Sequence, residues 1–133
     1  MGVLIDTSVA ILMRDTDSLA GLLSRLEPPA CLSAISRVEL ENGVYRDPAF
    51  AAARRTALDL ILRHLPTLDF GEREIAAYRS IVAAIGHSRR KTLDRMIAAT
   101  ALVHGLPLVT TNAADFRDIP SLQVEDWRAA EGA

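Results

Sequence analysis

The stretch VLIDTSVAI, residues 3–11, joins the end of an apolar strand to an acid. An apolar run typical of a buried parallel strand, residues 3–5, leads directly to Asp6. Two small hydroxyl residues, Thr7 and Ser8, follow before the chain becomes apolar again. Asp6 is therefore either the N-cap of a helix, a position that favours aspartate, or a ligand-binding group at the end of a strand.

The composition indicates a single globular domain with a modest negative charge. The chain has 133 residues, half of them hydrophobic, which is enough for one core. Its net charge is -2, whereas domains that bind nucleic acid through overall charge are usually basic. Lys91 is the only lysine, so the positive charge is almost all arginine, which suits bidentate phosphate contacts. Any nucleic-acid contact is expected to depend on local arginine clusters or bound cations.

The single cysteine and the apolar segments predict a cytoplasmic protein. Cys31 has no second cysteine with which to form an internal disulfide or a metal cluster. The first residues lack the charged-then-apolar pattern of a signal peptide. The longest apolar stretch, residues 96–109, is short and is interrupted by Gly105 and Pro107, so it does not read as a membrane span.

Strand-like and helix-like segments alternate along the chain. This alternation predicts an α/β fold, a three-layer α/β/α sandwich with a short central parallel sheet. We expect residues 1–133 to form one domain, with a tail from about residue 128, and Gly105 to cap a helix. The predicted strands are 2–5, 30–33, 67–70, 107–111 and 122–127, and the predicted helices are 7–13, 16–26, 36–45, a helix ending near 64, 71–86 and 93–105.

Four acids lie close to the predicted ends of strands or starts of helices. Asp6 follows the first strand, and Glu39 in AISRVELENG lies on the predicted first turn of a helix. Asp94 opens the helix DRMIAATALV, and Asp115 in TTNAADF follows a strand. Because the carboxyl ends of parallel strands meet at one edge of a sheet, these carboxylates are expected to gather there.

Each acid, taken alone, also fits a helix-capping role. Asp6 is a good N-cap residue, and Ser36-x-x-Glu39 has the spacing of a capping box. Asp94 near a helix start is favoured by the helix dipole. Capping is the commoner explanation for any one such residue.

The four acids together favour a metal site. Carboxylates gathered at one edge repel each other unless something neutralises them, and the sequence does not place a lysine or arginine beside every one. Hard oxygen ligands without cysteine or histidine suit Mg²⁺ or Mn²⁺ better than zinc. A cation held in this way activates water and stabilises charge on a phosphate, so the site predicts phosphodiester hydrolysis.

Three segments extend this prediction to a family. VLIDTSVAI, SAISRVELENG and LDRMIAATALVHGLPLVTTNAADF, in this order and spacing, resemble the motifs of PIN-domain nucleases, and most closely those of the VapC-type toxins of bacterial toxin–antitoxin pairs. The resemblance spans about residues 2–127. It implies an α/β/α sandwich and an endoribonuclease that depends on Mg²⁺, with Mn²⁺ as a possible substitute.

The resemblance also assigns roles to individual residues. The acidic positions that would bind the metal and carry the catalysis fall on Asp6, Glu39, Asp94 and Asp115. The supporting polar positions fall on Ser8, Thr110 and Asn112. Glu41 lies close to Glu39, but the two face different sides of a helix, and the Glu-Leu match of the motif falls on Glu39.

The resemblance implies partners as well. VapC-type toxins are held by a small antitoxin that blocks the site, so we expect a cognate antitoxin, an RNA substrate, and a homodimer or a hetero-oligomer with the antitoxin. The leucine stripe at residues 19, 22, 23 and 26 has helical spacing and is expected to pack in the core, although part of it is an alternative antitoxin-binding surface.

Basic residues near the four acids are candidates for RNA contact. These are Arg89, Arg90, Lys91, Arg95 and Arg117. The pair Arg54-Arg55 is instead expected to be part of a solvated face.

Two other functions remain open from the sequence. The first is a non-catalytic binding module that keeps the PIN fold, which would be supported by degraded acidic positions. The second is a phosphatase with Asp6 as nucleophile, because Asp-Thr-Ser after a strand resembles the haloacid-dehalogenase type. Such enzymes place a second acid two residues later, where this chain has Ser8.

Overall fold

The computed structural model describes residues 1–127, and the predicted tail from about residue 128 lies outside them. A five-stranded sheet forms the centre, with all neighbouring strands parallel and in the order β3-β2-β1-β4-β5. The strands are β1 Val3–Ile5, β2 Ala30–Ser33, β3 Thr67–Leu68, β4 Leu108–Thr110 and β5 Val124–Asp126.

Helices connect these strands and cover both faces of the sheet. They are α1 Thr7–Asp15, α2 Leu19–Leu23, α3 Ala34–Tyr45, α4 Ala51–His64, α5 Glu72–Ile85 and α6 Thr92–His104, with short 3₁₀ helices at Pro48–Phe50 and Ala113–Phe116. The predicted end of α6 is confirmed, because Gly105 adopts the left-handed conformation with φ 63°.

The helix predicted over residues 16–26 is wrong at both ends, since α2 covers only Leu19–Leu23. Thr16 is extended, and its hydroxyl accepts a hydrogen bond from the backbone N–H of Ser18 at 3.1 Å. Such a local side-chain bond offers the backbone an alternative to the helix. The leucine stripe nevertheless packs as predicted: Leu26 is buried, and the other three leucines contact the core on the α1 side.

Alternating side chains of each central strand enter two separate cores. In β1, Val3 and Ile5 face the core that contains α1 and α4, whereas Leu4 faces the core that contains α5 and α6. The same alternation separates Cys31 from Leu32 in β2. Helices therefore cover both faces of the parallel sheet, and the predicted three-layer α/β/α sandwich is confirmed.

Within residues 1–127, no helix combines the length and apolar character needed to cross a membrane.

The strand order determines which strand ends are neighbours. β1 is central, with β2 on one side and β4 on the other. Ile5 pairs with Leu32 of β2 and with Val109 of β4. Asp6 therefore emerges between the ends of β2 and β4, and the segments that follow all three strands converge at its position.

Truncation of the fully buried Leu32 tests the packing of the α1-side core. Leu32→Ala leaves a cavity beneath the helices and is expected to lower the free energy of unfolding by roughly 2–5 kcal/mol, as measured by urea denaturation. Val38→Ala is the control, because Val38 is 61% exposed on α3, and its effect is expected to stay within about 0.5 kcal/mol. Equal losses for the two variants would contradict the assignment of the core.

Candidate active site

Asp6 lies at the N-terminus of α1, but its side chain does not cap that helix. Its backbone carbonyl accepts from the N–H of Val9 at 3.0 Å, as an N-cap carbonyl does. Its carboxylate oxygen Oδ2 instead accepts from the hydroxyls of Ser8 and Thr110, each at 2.8 Å. The residue is only 5% exposed. The capping interpretation thus accounts for the backbone of Asp6 and not for its carboxylate.

Backbone groups orient the two hydroxyls that donate to Asp6. The N–H of Thr111 donates to Ser8 Oγ at 3.1 Å, and the N–H of Asn112 donates to Thr110 Oγ1 at 2.9 Å. Each hydroxyl accepts one bond from the backbone and gives its own proton to Oδ2. Within residues 1–127, Oδ1 of Asp6 has no such partner, so this oxygen is the one available to a ligand.

Glu39 approaches the same place from α3. Helix α3 begins at Ala34, so Glu39 is its sixth residue and lies in the second turn, not the first turn that the sequence predicted. The predicted capping box is also wrong, because the N-cap is Ser33, whose hydroxyl accepts from the N–H of Ser36 at 3.0 Å. Glu39 Oε1 instead accepts from Thr7 Oγ1 at 2.6 Å, which leaves Oε2 free of hydrogen bonds within residues 1–127.

Asp94 shows that the four carboxylates share one electrostatic environment. It is the third residue of α6 and is half-buried. Burial, together with the charges of Asp6, Asp115 and Glu39, raises its pKa to about 6, and Lys91 acts in the opposite direction. Asp115, in the 3₁₀ helix Ala113–Phe116, is exposed. The structure therefore brings together all four acids that the sequence singled out.

The donor set fits a hard divalent cation. Within the described residues 1–127, no three carboxylate, histidine or cysteine side chains are close enough to form a ready-made metal cage. Oδ1 of Asp6 and Oε2 of Glu39 are nevertheless available, and Asp94 has no hydrogen-bond or ion-pair partner in the same range. Burial and acidic neighbours both raise the pKa of Asp94, and added positive charge would stabilise its ionised form. Oxygen donors alone favour Mg²⁺, Ca²⁺ or Mn²⁺.

Only some of the predicted supporting and basic residues contact the acids. Ser8 and Thr110 contact Asp6, whereas Asn112 is exposed and takes part only through its backbone N–H. The burial of Arg95 disfavours its predicted RNA contact, because this side chain is 5% exposed and donates to the backbone carbonyl of Gly86 at 2.6 Å. Arg95 points into the protein because it lies on the buried face of α6.

The other basic candidates remain at the surface near the acids. Arg89 and Arg90 are exposed in the loop between α5 and α6. Lys91 lies 3.9 Å from Asp118, and its charge acts against the raised pKa of Asp94. Arg117 is exposed and lines a shallow cleft together with Asp115.

Glu41, two residues after Glu39, faces another direction. Both of its oxygens accept from the guanidinium of Arg55, at 2.6 and 3.1 Å, and this bond is the main reason that its pKa is lowered. Arg55 also pairs with Asp59, as expected of a solvated face. Arg54 differs from that expectation, because it donates to the backbone carbonyl of Gly43 at 2.9 Å.

Sequence reasoning missed Thr7 and a group of arginines. Thr7 stood in the first motif, but only its hydroxyl bond to Glu39 shows that it orients an acid. A groove of about 460 Å³ begins at Thr7 and Glu39 and is also lined by Arg14, Arg46 and Arg54. These arginines come from three different elements of the fold, so no local sequence pattern could have grouped them.

The fold and site define an α/β protein with a carboxylate centre at the carboxyl edge of a parallel sheet. A family model described as the PIN domain matches residues 3–122. The chain is 30% identical to ribonuclease VapC of Rickettsia bellii over 129 residues, covering 93% of this chain and 95% of the relative. It is also 30% identical to the tRNA(fMet)-specific endonuclease VapC of Salmonella typhimurium over 100 residues, covering 73% and 74% of the two chains.

A solved structure agrees with these relatives. The crystal structure of VapBC2 from Rickettsia felis, bound to a DNA fragment from its promoter, superposes with a TM-score of 0.81 and 25% identity, covering 96% of this chain and 99% of the other. The protein belongs to the PIN-domain family, as the sequence resemblance implied. Ribonucleases of this family depend on a divalent metal ion, in agreement with the oxygen donors gathered around Asp6.

The raised pKa of Asp94 predicts that this carboxylate destabilises the metal-free protein near neutral pH. Between pH 4 and 6 the unfolded chain has lost the Asp94 proton while the folded chain keeps it, so stability falls as the pH rises through this window. Asp94→Asn is expected to raise the free energy of unfolding in EDTA at pH 7.5 by on the order of 1 kcal/mol, after allowance for partial exposure. The gain should shrink towards pH 4.

Thermal unfolding in EDTA at both pH values measures this effect. Asp17→Asn is the matched control, because Asp17 is an exposed acid in the loop between α1 and α2, and it should change stability little at either pH. A loss of stability in Asp94→Asn at pH 7.5 would contradict the electrostatic interpretation.

Proposed function

We propose that this protein is a Mg²⁺-dependent endoribonuclease that hydrolyses RNA phosphodiester bonds and acts as the toxin of a toxin–antitoxin pair. The observation that carries the proposal is the convergence of four carboxylates at the carboxyl edge of the sheet, where burial and the charges of the other three acids together raise the pKa of Asp94. Relatives named as ribonucleases over nearly the whole chain support the choice of RNA as substrate.

The four acids take different parts in the proposed site. Asp6 is the central ligand, because it is buried between the ends of β2 and β4 and two hydroxyls fix its orientation. Glu39 is held by Thr7 on the α3 side. Asp94 and Asp115 complete the set from α6 and the following 3₁₀ helix. Ser8 and Thr110 are positioning residues, and Asn112 supports Thr110 through its backbone.

Magnesium bound to these carboxylates would lower the pKa of a water molecule and offset the charge that develops on the phosphate. The protein itself supplies fixed carboxylate oxygens and excludes water beneath Asp6, where β1 and β4 are fully buried. Preorganised groups of this kind need little rearrangement as charge develops during the reaction. Mn²⁺ has the same preference for oxygen ligands and is the expected substitute.

The proposed biological context includes a cognate antitoxin. The related Rickettsia felis structure is of VapBC2, a complex bound to promoter DNA, and this likeness extends over almost the whole chain. We propose that this protein likewise assembles with an antitoxin, as a homodimer or a hetero-oligomer, and that it acts in the cytoplasm, where its RNA substrates are found. Residues 1–133 would form one nuclease domain, and Arg89, Arg90, Lys91 and Arg117 would contact RNA.

Asp6→Asn tests the proposed metal site. The amide keeps the shape of the side chain but removes the charge that the cation needs, so RNA cleavage in Mg²⁺ is expected to fall roughly a hundredfold or more. The measurement is cleavage of a labelled RNA by purified protein free of antitoxin, with EDTA as the metal-free reaction. Wild-type rates from a folded variant would rule out the site, and calorimetry without any Mg²⁺ or Mn²⁺ binding to the wild type would favour a non-catalytic module.

A pair of neighbouring glutamates provides an internal control. Glu39→Gln is expected to reduce kcat by about a hundredfold, whereas Glu41→Gln should keep wild-type cleavage because Glu41 pairs with Arg55 outside the site. Both variants remove one acid from the same helix. Equal activity of the two variants would contradict the role of Glu39.

A further inference from the structure

The groove beside Glu39 gathers three arginines from three elements. Arg14 comes from the last turn of α1, Arg46 from the C-terminal end of α3, and Arg54 from α4. The groove has a volume of about 460 Å³, and its wall at one end is formed by Thr7 and Glu39, which also belong to the carboxylate site. Strong positive charge thus lies directly beside a strongly acidic centre.

Gly43 lies close to two of these guanidinium groups. A Cβ atom at residue 43 would lie only 2.9 Å from Arg14 Nη1, and the carbonyl of the same glycine accepts from Arg54 Nη1 at 2.9 Å. The side chain of Arg14 is only 8% exposed. Glycine within the last turn of α3 is a poorer helix former than alanine, and the position leaves space for Arg14.

The acids near the groove neutralise Arg14 but leave Arg46 without an ion pair within residues 1–127. Arg14 pairs with the exposed Asp15 through Nε and Nη2, which leaves Nη1 directed at Gly43. Oδ1 of Asp47 accepts from the N–H of Ala49 and caps the following 3₁₀ helix. Arg46 is exposed and has no ion-pair partner within residues 1–127. The guanidinium of Arg46 therefore remains available to an anionic ligand, whereas Nη1 of Arg14 lies against Gly43 and Nη1 of Arg54 donates to the Gly43 carbonyl.

We propose that this arginine groove binds the phosphates of the RNA strand on one side of the scissile bond. The proposal rests on the proposed function, because a strand held at the carboxylate site must continue in some direction, and this groove shares Thr7 and Glu39 with that site. The guanidinium fork matches a phosphate in a bidentate manner. RNA carries one such charge at every nucleotide, whereas an acidic peptide carries charge only on some of its side chains.

Arg46 gives the cleanest test, because its guanidinium has no structural partner to lose. In EDTA, where the proposed enzyme does not cleave, Arg46→Ala is expected to weaken the binding of a fluorescent single-stranded RNA about three- to tenfold. The slope of log Kobs against log salt should also become shallower by about 0.7, the value for one lost phosphate contact on a single strand. Arg46→Lys should be intermediate, because it keeps the charge but not the fork.

Arg79→Ala is the matched control, since it removes an exposed arginine from α5 on the other face of the sheet. Its RNA affinity and salt slope should equal those of the wild type. Fluorescence anisotropy gives both quantities, and thermal melting confirms that each variant is folded. Equal effects of Arg79→Ala and Arg46→Ala would overturn the proposal, since binding would then follow net charge alone.

Gly43→Ala tests the geometry without removing any charge. The added methyl group displaces the Arg14 guanidinium, while alanine favours the helix. The expected result is unchanged or higher thermal stability together with weaker RNA binding. Wild-type affinity in both Gly43→Ala and Arg46→Ala would overturn the proposal.

Two further outcomes separate the possible failures. If wild-type protein cleaves RNA in Mg²⁺ but Arg46→Ala has an unchanged KM and salt slope, the groove proposal fails and the nuclease proposal stands. If wild-type protein binds RNA in an Arg46-dependent manner but never cleaves it, the proposed function fails instead. If poly-glutamate displaces RNA at equal charge concentration and binds more tightly, with the same dependence on Arg46, the groove is a docking site for an acidic protein segment and the RNA proposal is overturned.

Discussion

The hydrogen bond from Thr110 to Asp6 joins two residues that are 104 positions apart in the chain. It can form only if β4 lies next to β1 in parallel register, with Val109 opposite Ile5. That pairing brings the end of one strand and the start of one helix into contact, and it buries Asp6 among groups that fix its orientation. Glu39 on one side and Asp115 on the other are placed by the same strand order.

The sequence was sufficient for the architecture and for the four acids. Strand ends in a parallel sheet lie on one edge, so the acids after the strands could be grouped before any coordinates were known. The local assignments were less accurate. Ser36 and Glu39 had the spacing of a capping box, but the N-cap is Ser33, three residues before Ser36, and α3 begins at Ala34. Spacing alone does not reveal which of two nearby serines is the cap.

The sequence also did not show the direction in which individual side chains point. Arg95 follows Asp94 directly, yet on a helix adjacent residues face different ways, and this arginine is buried. Arg54 and Arg55 were treated as one pair, but only Arg55 joins the solvated network with Glu41 and Asp59. The grouping of Arg54 with two arginines of other helices depends on the packing of α1, α3 and α4, which no local pattern records.

The position of the central strand also has a consequence for how the protein is made. The site requires both β1 and the segment around Thr110, and Thr110 is synthesised 104 residues after Asp6. Because chains elongate at about 5–20 residues per second, a growing polypeptide contains Asp6 for several seconds before Thr110 has been synthesised. A chain that has not yet reached Thr110 therefore has the first acid but no assembled centre, and any activity of that centre can begin only after this segment has been synthesised.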